Sequence, residues 1–159
     1  MAKVLVIYYS QTGNTKKMAE SVAEGIKKES LEVVIKDVKD ADVDDLLKYE
    51  GIVIGSPTYY GTMAAEIKKL LDESVKFHGK LDGLVGAAFS SSANVGGGNE
   101  TTILGILNAM LIHGMIIQGD PQGGHYGAVA IGAPDSRVSR ECVRLGQRVA
   151  KLVKTVSVK

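Results

Sequence analysis

The chain has 159 residues, of which 45% are hydrophobic and 23% charged, a balance typical of one soluble globular domain, and we expect that domain to span residues 1–159. A formal net charge of +1 provides no strong field to attract nucleic acid or an anionic membrane, and no apolar stretch approaches the ~20 residues that span a bilayer. The single cysteine, Cys142, excludes an intramolecular disulfide and is typical of a reducing compartment, so we expect a cytoplasmic protein.

The first half of the chain alternates strand patterns with helical periods. Residues 4–9 form an apolar run rich in β-branched and aromatic side chains, which is typical of a strand buried on both faces. Met18, Val22 and Ile26 follow at intervals of four, which predicts an amphipathic helix over residues 14–28. We further predict a strand at 31–38, a short helical or irregular crossover at 42–49, a strand at 51–55 and an amphipathic helix at 63–77.

The second half continues the same alternation. We predict a fourth strand at 84–89, a largely apolar helix at 99–112 and a fifth strand that begins at 115–117. A loop rich in Gly and Pro occupies 119–127, residues 128–131 continue the fifth strand after it, and a closing helix covers 136–153. This order predicts an α/β fold of three layers, with a five-stranded parallel sheet between helices on both faces.

The first candidate binding segment lies between the first strand and the first helix. It comprises six residues with three hydroxyls and one flexible glycine: Ser10, Gln11, Thr12, Gly13, Asn14 and Thr15. Backbone N–H groups at a helix N-terminus attract anions, and hydroxyl donors can complete a phosphate cage. The segment has neither the Gly-Lys-Ser/Thr of a triphosphate loop nor a GxGxxG fingerprint. The alternative is that its Ser and Thr side chains only cap the helix.

The second candidate segment follows the third strand. It contains two adjacent aromatic residues among small or polar neighbours: Pro57, Thr58, Tyr59, Tyr60 and Gly61. An aromatic side chain here can flank a planar ring by stacking, while its neighbour fills space. The alternative is that both aromatics only cover the end of the sheet.

The third candidate segment follows the fourth strand, within residues 90–99. Its glycines allow close approach of the backbone to a ligand, and its Ser and Asn groups can bond the polar edge of a heterocycle. The alternative is a flexible loop without a ligand. The residues that we single out are Ser91, Ser92, Ala93, Asn94, Val95, Gly96 and Gly97. Because ligands of open α/β sheets bind outside the carboxyl ends of the strands, we expect all three segments to converge on one edge.

These motifs resemble those of flavodoxin-like FMN proteins. The stretch SQTGNT at 10–15 is similar to the phosphate loop of flavodoxins. Four further stretches resemble the WrbA-type NAD(P)H:quinone oxidoreductases: GSPTYYGTMAAEIK at 55–68, GGNETTI at 97–103, LIHGM at 111–115 and YGA at 126–128. The resemblance extends over nearly the whole chain.

The resemblance implies a flavodoxin-like fold, FMN as cofactor, and two-electron reduction of quinones by NADH or NADPH, with hydride passing through flavin N5. Residues 10–15 would hold the FMN phosphate, residues 57–61 would line the ribityl chain and isoalloxazine, and residues 91–97 would bond the pyrimidine edge. His113 and Tyr126 match positions near the flavin, Tyr126 from its own or a neighbouring subunit. The resemblance also implies a homo-oligomer, either a dimer or a tetramer.

Two observations keep a second function open. The chain is shorter than typical WrbA-type proteins, and the brief segment 77–84 lacks the insertion that helps to build their active-site wall and tetramer. A short chain favours a flavodoxin that carries electrons between redox partners. The net charge of +1 favours the reductase. Flavodoxins are typically strongly acidic, and their acidic face steers basic partners.

The histidines give no metal site and no named catalytic residue. His78, His113 and His125 are not spaced like metal ligands, and we predict no bound metal. His113 lies at a predicted helix end, where the helix dipole also favours a histidine for structural reasons. Hydride transfer requires no protein acid or base. If a side chain donates a proton to the quinone, His125 and Tyr126 are the candidates.

Overall fold

The computed structural model describes residues 1–157, so Val158 and Lys159 of the predicted domain lie outside the described residues. Seven strands are present in this range: β1 (Lys3–Tyr8), β2 (Glu32–Asp37), β3 (Gly51–Tyr59), β4 (Thr62–Met63), β5 (Val85–Ser92), β6 (Ile116–Ile117) and β7 (Val129–Ile131). The α-helices are α1 (Asn14–Lys28), α2 (Ala65–Glu73), α3 (Asn99–Ile112) and α4 (Ser136–Ser157). Short 3₁₀ helices cover Val38–Asp40, Val43–Lys48 and Ser74–Phe77.

The sheet has the strand order β2-β1-β3-β5-β6, and all four of these pairings are parallel. The fifth position is shared, since β6 pairs with the start of β5 at Val85 and β7 pairs with its end at Ser90–Ser92. The predicted α/β fold and five-stranded parallel path are therefore confirmed, with an insertion that interrupts the fifth strand. A two-residue strand that we did not predict, β4, pairs antiparallel with the end of β3.

Alternation along β1 creates two apolar cores. Val4, Val6 and Tyr8 belong to the core under α1 and α4, whereas Leu5 and Ile7 belong to the core under α2, α3 and the 3₁₀ segments. Successive side chains of a strand point to opposite faces, so a continuous apolar strand must be covered on both sides. The three-layer arrangement follows from this pattern.

The two helical layers differ in how closely their helices approach. A Cβ atom on Gly25 of α1 would overlap the carbonyl oxygen of Val143, and one on Gly146 of α4 would overlap the carbonyl oxygen of Val22. These reciprocal glycines bring α1 and α4 into backbone contact. On the other face, α2 and α3 leave a groove of about 550 Å³ between them.

The boundaries of several elements differ from the prediction. β3 and β5 extend past the predicted residues 55 and 89, because they remain paired as far as Pro57 opposite Ser91. The predicted helix 63–77 begins only at Ala65, since Met63 pairs with Thr58, and its last residues form a 3₁₀ turn. The crossover at 42–49 is confirmed as short 3₁₀ helix, capped by Asp42 and Asp45.

Within residues 1–157, no helix is long and apolar enough to cross a membrane. The same residues contain no group of three or more His, Cys, Asp or Glu side chains that could hold a metal ion.

Candidate functional site

The strand order reverses at β1. From β1 the chain crosses to β2 on one side, and it then returns to β3 on the other side. The loops that leave β1 and β3 therefore diverge, and a crevice opens beyond their carboxyl ends. The three candidate segments follow β1, β3 and β5, which are neighbours in the sheet.

The N-terminus of α1 lies at this crevice without a side-chain cap. Its N-cap is Gly13, in the left-handed region with φ of +95°, and no side chain accepts from the first-turn N–H groups. The Ser10 hydroxyl instead accepts from the N–H of Gly13 at 3.0 Å. The first turn also carries no acidic residue. Free N–H groups and the positive end of the helix dipole favour an anion here, and helix capping does not explain the hydroxyls.

Side-chain hydrogen bonds tie the three segments to one another. The hydroxyls of Thr15 and Ser91 lie 2.9 Å apart and join the first segment to the third. Tyr59 donates to Gln11 Oε1 at 3.0 Å and joins the second to the first. The hydroxyls of Thr58 and Ser90, 3.0 Å apart, join β3 to β5. The expected convergence on one edge is therefore present.

Two residues outside our predicted set bring the second and third segments together. A Cβ atom on Gly98 would lie 2.7 Å from Cα of Gly61, so the two backbones touch. The Thr101 hydroxyl donates to the Gly61 carbonyl at 2.7 Å. Gly98 precedes α3 in the left-handed region, as Gly13 precedes α1. In the sequence, both glycines stand directly before a helical period. This shared pattern could have identified Gly98.

The aromatic residues differ in exposure. Tyr60 is fully exposed and has a φ of +50°, a backbone conformation that costs roughly 1 kcal/mol or more for a residue other than glycine. Tyr59 is 38% exposed, and its ring packs edge-on against Tyr9 with centroids 6.3 Å apart. Burial, with Tyr9 and Glu66 nearby, raises the pKa of Tyr59, so its hydroxyl stays a donor. Tyr60 is the aromatic ring available to a ligand.

The third segment divides into a buried and an exposed part. Ser91 and Ser92 are buried residues of β5, not loop residues as predicted. The Ser91 hydroxyl is hydrogen-bonded to that of Thr15, and the Ser92 hydroxyl donates to the Asn94 carbonyl at 2.9 Å. These hydroxyls support the segment from within. Its open surface consists of residues 93–97, of which Val95 is 86% exposed.

His113 lies away from the other candidates. It follows α3, three residues before Ile116, which pairs with Val85 at the start of β5. The candidate segments lie beyond the far end of that strand, about 23 Å along it. His113 is 8% exposed, and its Nε2 is 2.8 Å from the Ser74 hydroxyl. Within its own chain His113 packs α3 against Ser74 and lies away from the three segments, and its flavin contact stays a prediction.

Tyr126 lies in the insertion between β6 and β7, half-exposed and three residues before β7. The insertion is fixed to α4 because Arg144 donates to Asp120 at 2.9 Å and Arg148 donates to the Gly119 carbonyl at 2.6 Å. The hydrogen bonds from Arg144 hold the pKa of Asp120 well below its usual range, so this clamp is charged at neutral pH. Tyr126 precedes Gly127, which lies against the Ala88 carbonyl of β5, and its flavin contact stays a prediction.

Comparison with known proteins decides the family. The sequence profile described as Flavodoxin matches residues 6–104, a range that contains all three candidate segments. The chain belongs to the flavodoxin family. A protein named Flavodoxin from Aquifex aeolicus is 44% identical over 162 residues, which cover 96% of this chain and 88% of that protein.

Other relatives of this flavodoxin-family chain have a different name. A protein from Sinorhizobium fredii named NAD(P)H dehydrogenase (quinone) is 41% identical over 143 residues, which cover 76% of this chain and 72% of that protein. The crystal structure of the flavodoxin, WrbA-like protein from Agrobacterium tumefaciens has a TM-score of 0.82 and 27% identity, and covers 99% of this chain and 100% of that one. The predicted relationship to flavodoxin-like and WrbA-type proteins is confirmed.

Membership of the flavodoxin family implies FMN. The residues of the candidate site fit such a group. The uncapped N–H groups of α1 and the exposed Thr12 hydroxyl suit a phosphate, and the exposed ring of Tyr60 with the open residues 93–97 suits a flat heterocycle.

Proposed function

We propose that this protein is an FMN-dependent NAD(P)H:quinone reductase. The observation that carries its FMN part is the uncapped N-terminus of α1, bordered by hydroxyls and tied to the two neighbouring segments. FMN, when bound, supplies hydride exchange between NAD(P)H and a quinone. The side chains of the protein bind and orient the participants.

Residues 10–15 would hold the phosphate with neutral donors. This segment contains no Lys or Arg, so the positive end of the α1 dipole and the first-turn N–H groups supply the attraction. Ser10 is engaged with the N–H of Gly13 and shapes the turn, whereas the Thr12 side chain is exposed and free to reach a ligand oxygen. Thr15 is buried against Ser91 and fixes the distance between the first and third segments.

The second and third segments would bracket the flavin ring. Tyr60 at the tip of the β3–β4 hairpin would cover one side, and residues 93–97 would contact the polar edge of the ring. Tyr59, hydrogen-bonded to Gln11, holds the hairpin against the phosphate segment. The contact between Gly61 and Gly98 brings the β3–β4 turn against the residue that precedes α3, and so closes the space between the two segments there.

Support for the reductase over an electron carrier comes from two sources. Relatives named NAD(P)H dehydrogenase (quinone) match over most of the chain, and a net charge of +1 lacks the acidity that steers basic redox partners. An electron carrier is the second candidate. The match to the Aquifex aeolicus protein named Flavodoxin over 96% of the chain favours it.

The deciding experiment follows oxidation of NADH and of NADPH by the FMN-loaded protein, with and without benzoquinone. We expect continuous oxidation that depends on the quinone. An FMN-loaded protein that oxidises neither nucleotide would reject the reductase and leave the electron carrier. A protein that binds no FMN would reject both.

The phosphate role of Thr12 has a test of its own. We expect Thr12→Val to weaken FMN binding by about tenfold, because one hydrogen bond to a charged group is lost. Riboflavin, which lacks the phosphate, should bind wild type and variant alike. Titration of both ligands by flavin fluorescence measures the two affinities. Thr155→Val, the same change at an exposed residue of α4, is the matched control and should alter neither.

A further inference from the structure

A cavity of about 680 Å³ lies beside the third candidate segment. Its walls come from Val95 and Gly96 of that segment, the first turn of α3, residues 122–124 of the insertion, β7 and the start of α4. Neither residues 10–15 nor residues 57–61 line it. Because it borders the segment that would contact the polar edge of the flavin ring, it can hold a part of the substrate that extends past the ring.

Hydrogen bonds hold the walls of this cavity in place. The Gln122 N–H donates to the Asp120 carboxylate at 2.9 Å, and Arg144 of α4 donates to the same carboxylate. The N–H of Gly132, directly after β7, donates to the Ser92 carbonyl at 2.8 Å. The cavity is therefore pre-formed, and a ligand need not order the insertion before it binds.

The lining combines an apolar surface with carboxylates. Val95, Val129 and Ile131 supply the apolar part, and Val95 is largely exposed. Glu100 lies in the first turn of α3, and Glu141 lies in the second turn of α4. Aliphatic side chains suit a flat heterocycle, and carboxylates accept hydrogen bonds from hydroxyls such as those of a ribose. This combination suits a nucleoside.

Acidic groups stand at both helix starts that border the cavity. At α3, unlike α1, the first turn carries an acidic residue, Glu100, and the Asn99 side chain accepts from the Glu100 N–H at 3.0 Å. At α4, the Asp135 carboxylate accepts from the Val138 N–H at 2.8 Å. These carboxylates offset the positive ends of the two helix dipoles. A phosphate is therefore attracted less here than at the start of α1.

The one basic side chain of the lining is already engaged. Arg137 donates to Glu141 at 2.7 Å, one turn further along α4, so the two charges balance. Glu100 adds a second carboxylate, which leaves the lining with one more carboxylate than guanidinium. Like charges brought together at a binding surface are unfavourable, so this lining disfavours a phosphate on the nucleoside.

We propose that this cavity binds the adenosine end of the nicotinamide nucleotide and selects NADH over NADPH, with Glu141 as the residue that sets the preference. The inference rests on the proposed reductase and chooses between its two co-substrates. The adenosine ribose of NADH has free hydroxyls, which a carboxylate can accept. In NADPH the 2′ position carries a phosphate, which Glu100 and Glu141 repel, and Glu141 keeps Arg137 from pairing with it.

Calorimetric titration of the FMN-loaded protein with ADP-ribose and with its 2′-phosphate derivative tests the cavity without hydride transfer. We expect wild type to bind ADP-ribose about tenfold more tightly, because the extra phosphate meets carboxylates. Glu141→Gln removes one carboxylate and releases Arg137, so we expect the phosphorylated ligand to bind at least as tightly as ADP-ribose. Glu24→Gln is the matched control, because Glu24 pairs with Lys28 one turn away on α1, and it should keep the wild-type preference.

Three results would overturn the inference: a wild type that binds no ADP-ribose, equal affinity of wild type for the two ligands, and an unchanged preference in Glu141→Gln. A protein that distinguishes the two ligands as expected but oxidises neither NADH nor NADPH would reject the reductase and support the cavity assignment. The two proposals therefore fail in different ways.

Steady-state kinetics with benzoquinone gives a second measurement. The cavity would hold the end of the nucleotide that does not react, so we expect Glu141→Gln to lower the KM for NADPH about tenfold and to leave kcat unchanged. A change in kcat at constant KM would place Glu141 at the reacting centre and contradict its assigned role.

Discussion

The two faces of the sheet are covered in different ways. On one face, α1 and α4 pack with their backbones in contact at Gly25 and Gly146. On the other, α2 and α3 stand apart, and short 3₁₀ segments fill the place where a crossover helix would lie between β2 and β3. The first layer is closed by backbone contact, whereas the second adds buried polar anchors to its apolar core and retains an open groove.

The anchors of the second layer are buried titratable groups. Asp45 accepts hydrogen bonds from Lys36 at 2.7 Å and from Lys48 at 3.0 Å. His113 is hydrogen-bonded to the Ser74 hydroxyl. In the first layer, burial raises the pKa of Cys142 to about 12, so its thiol stays neutral. Backbone proximity therefore makes the α1–α4 layer sensitive to added volume, whereas polar anchoring makes the α2–α3 layer sensitive to pH.

The largest effect is expected from added volume between α1 and α4. Gly146→Ala places a methyl group against the Val22 carbonyl, and we expect a loss of roughly 1–3 kcal/mol or more in the free energy of unfolding. Gly105→Ala on α3 is the matched control, because its Cβ meets the flexible end of Met63 at 3.2 Å and alanine favours the helix by up to about 1 kcal/mol. Denaturant unfolding of both variants measures the difference. Equal losses would break the distinction between the layers.

The next effect concerns the anchor at Asp45. Burial alone raises the pKa of Asp45, but hydrogen bonds from Lys36, Lys48 and the Asp42 N–H outweigh it and lower the pKa from 3.8 to about 2. The folded state therefore gains about 2 kcal/mol above pH 3.8, which disappears as the pH falls towards 2. Asp45→Asn should lose this stability at neutral pH and show a flatter stability curve between pH 4 and 2 by denaturant titration. A curve as steep as that of wild type would contradict the assignment.

The smallest effect belongs to His113. Burial, with His78 nearby, lowers its pKa from 6.5, so the unfolded chain binds the proton more tightly than the folded one. Stability is then complete above pH 6.5 and declines as the pH falls below it. We expect the Tm of wild type to drop more than that of His113→Gln between pH 7.5 and 5.5. Identical drops in a differential scanning experiment would exclude this contribution.

The alternation of elements and the helices α1 and α3 could be predicted from the sequence. Their observed bounds equal the predicted ones, because each helical period begins directly after a glycine that breaks the preceding loop. The ends of β3 and β5 could not be predicted, since Ser, Thr and Pro residues are typical of loops. Pairing between two central strands, with Pro57 opposite Ser91, outweighs that local preference.

The candidate site was predictable as three segments but not as a set of contacts. The sequence indicates that residues 10–15 suit an anion, yet nothing local shows that Thr15 meets Ser91, 76 positions away. His113 is a position that the three segments do not include. Its resemblance to a family position indicated a flavin contact, whereas the length of α3 carries it to the other end of the sheet. The single-domain assignment, the cofactor-binding roles and the predicted homo-oligomer stay predictions.

The interruption of the fifth strand has a consequence for how this fold can diversify. Both ends of the insertion are held by β5, at Gly86 through β6 and at Ser90 through β7, so the sheet is complete whatever lies between them. Closing a flexible loop costs only about 0.6 kcal/mol more for each doubling of its length. Away from the clamp that Gly119 and Asp120 make with α4, residues can therefore be added or removed at little thermodynamic cost. Selection can reshape this edge while the buried strands stay unaltered.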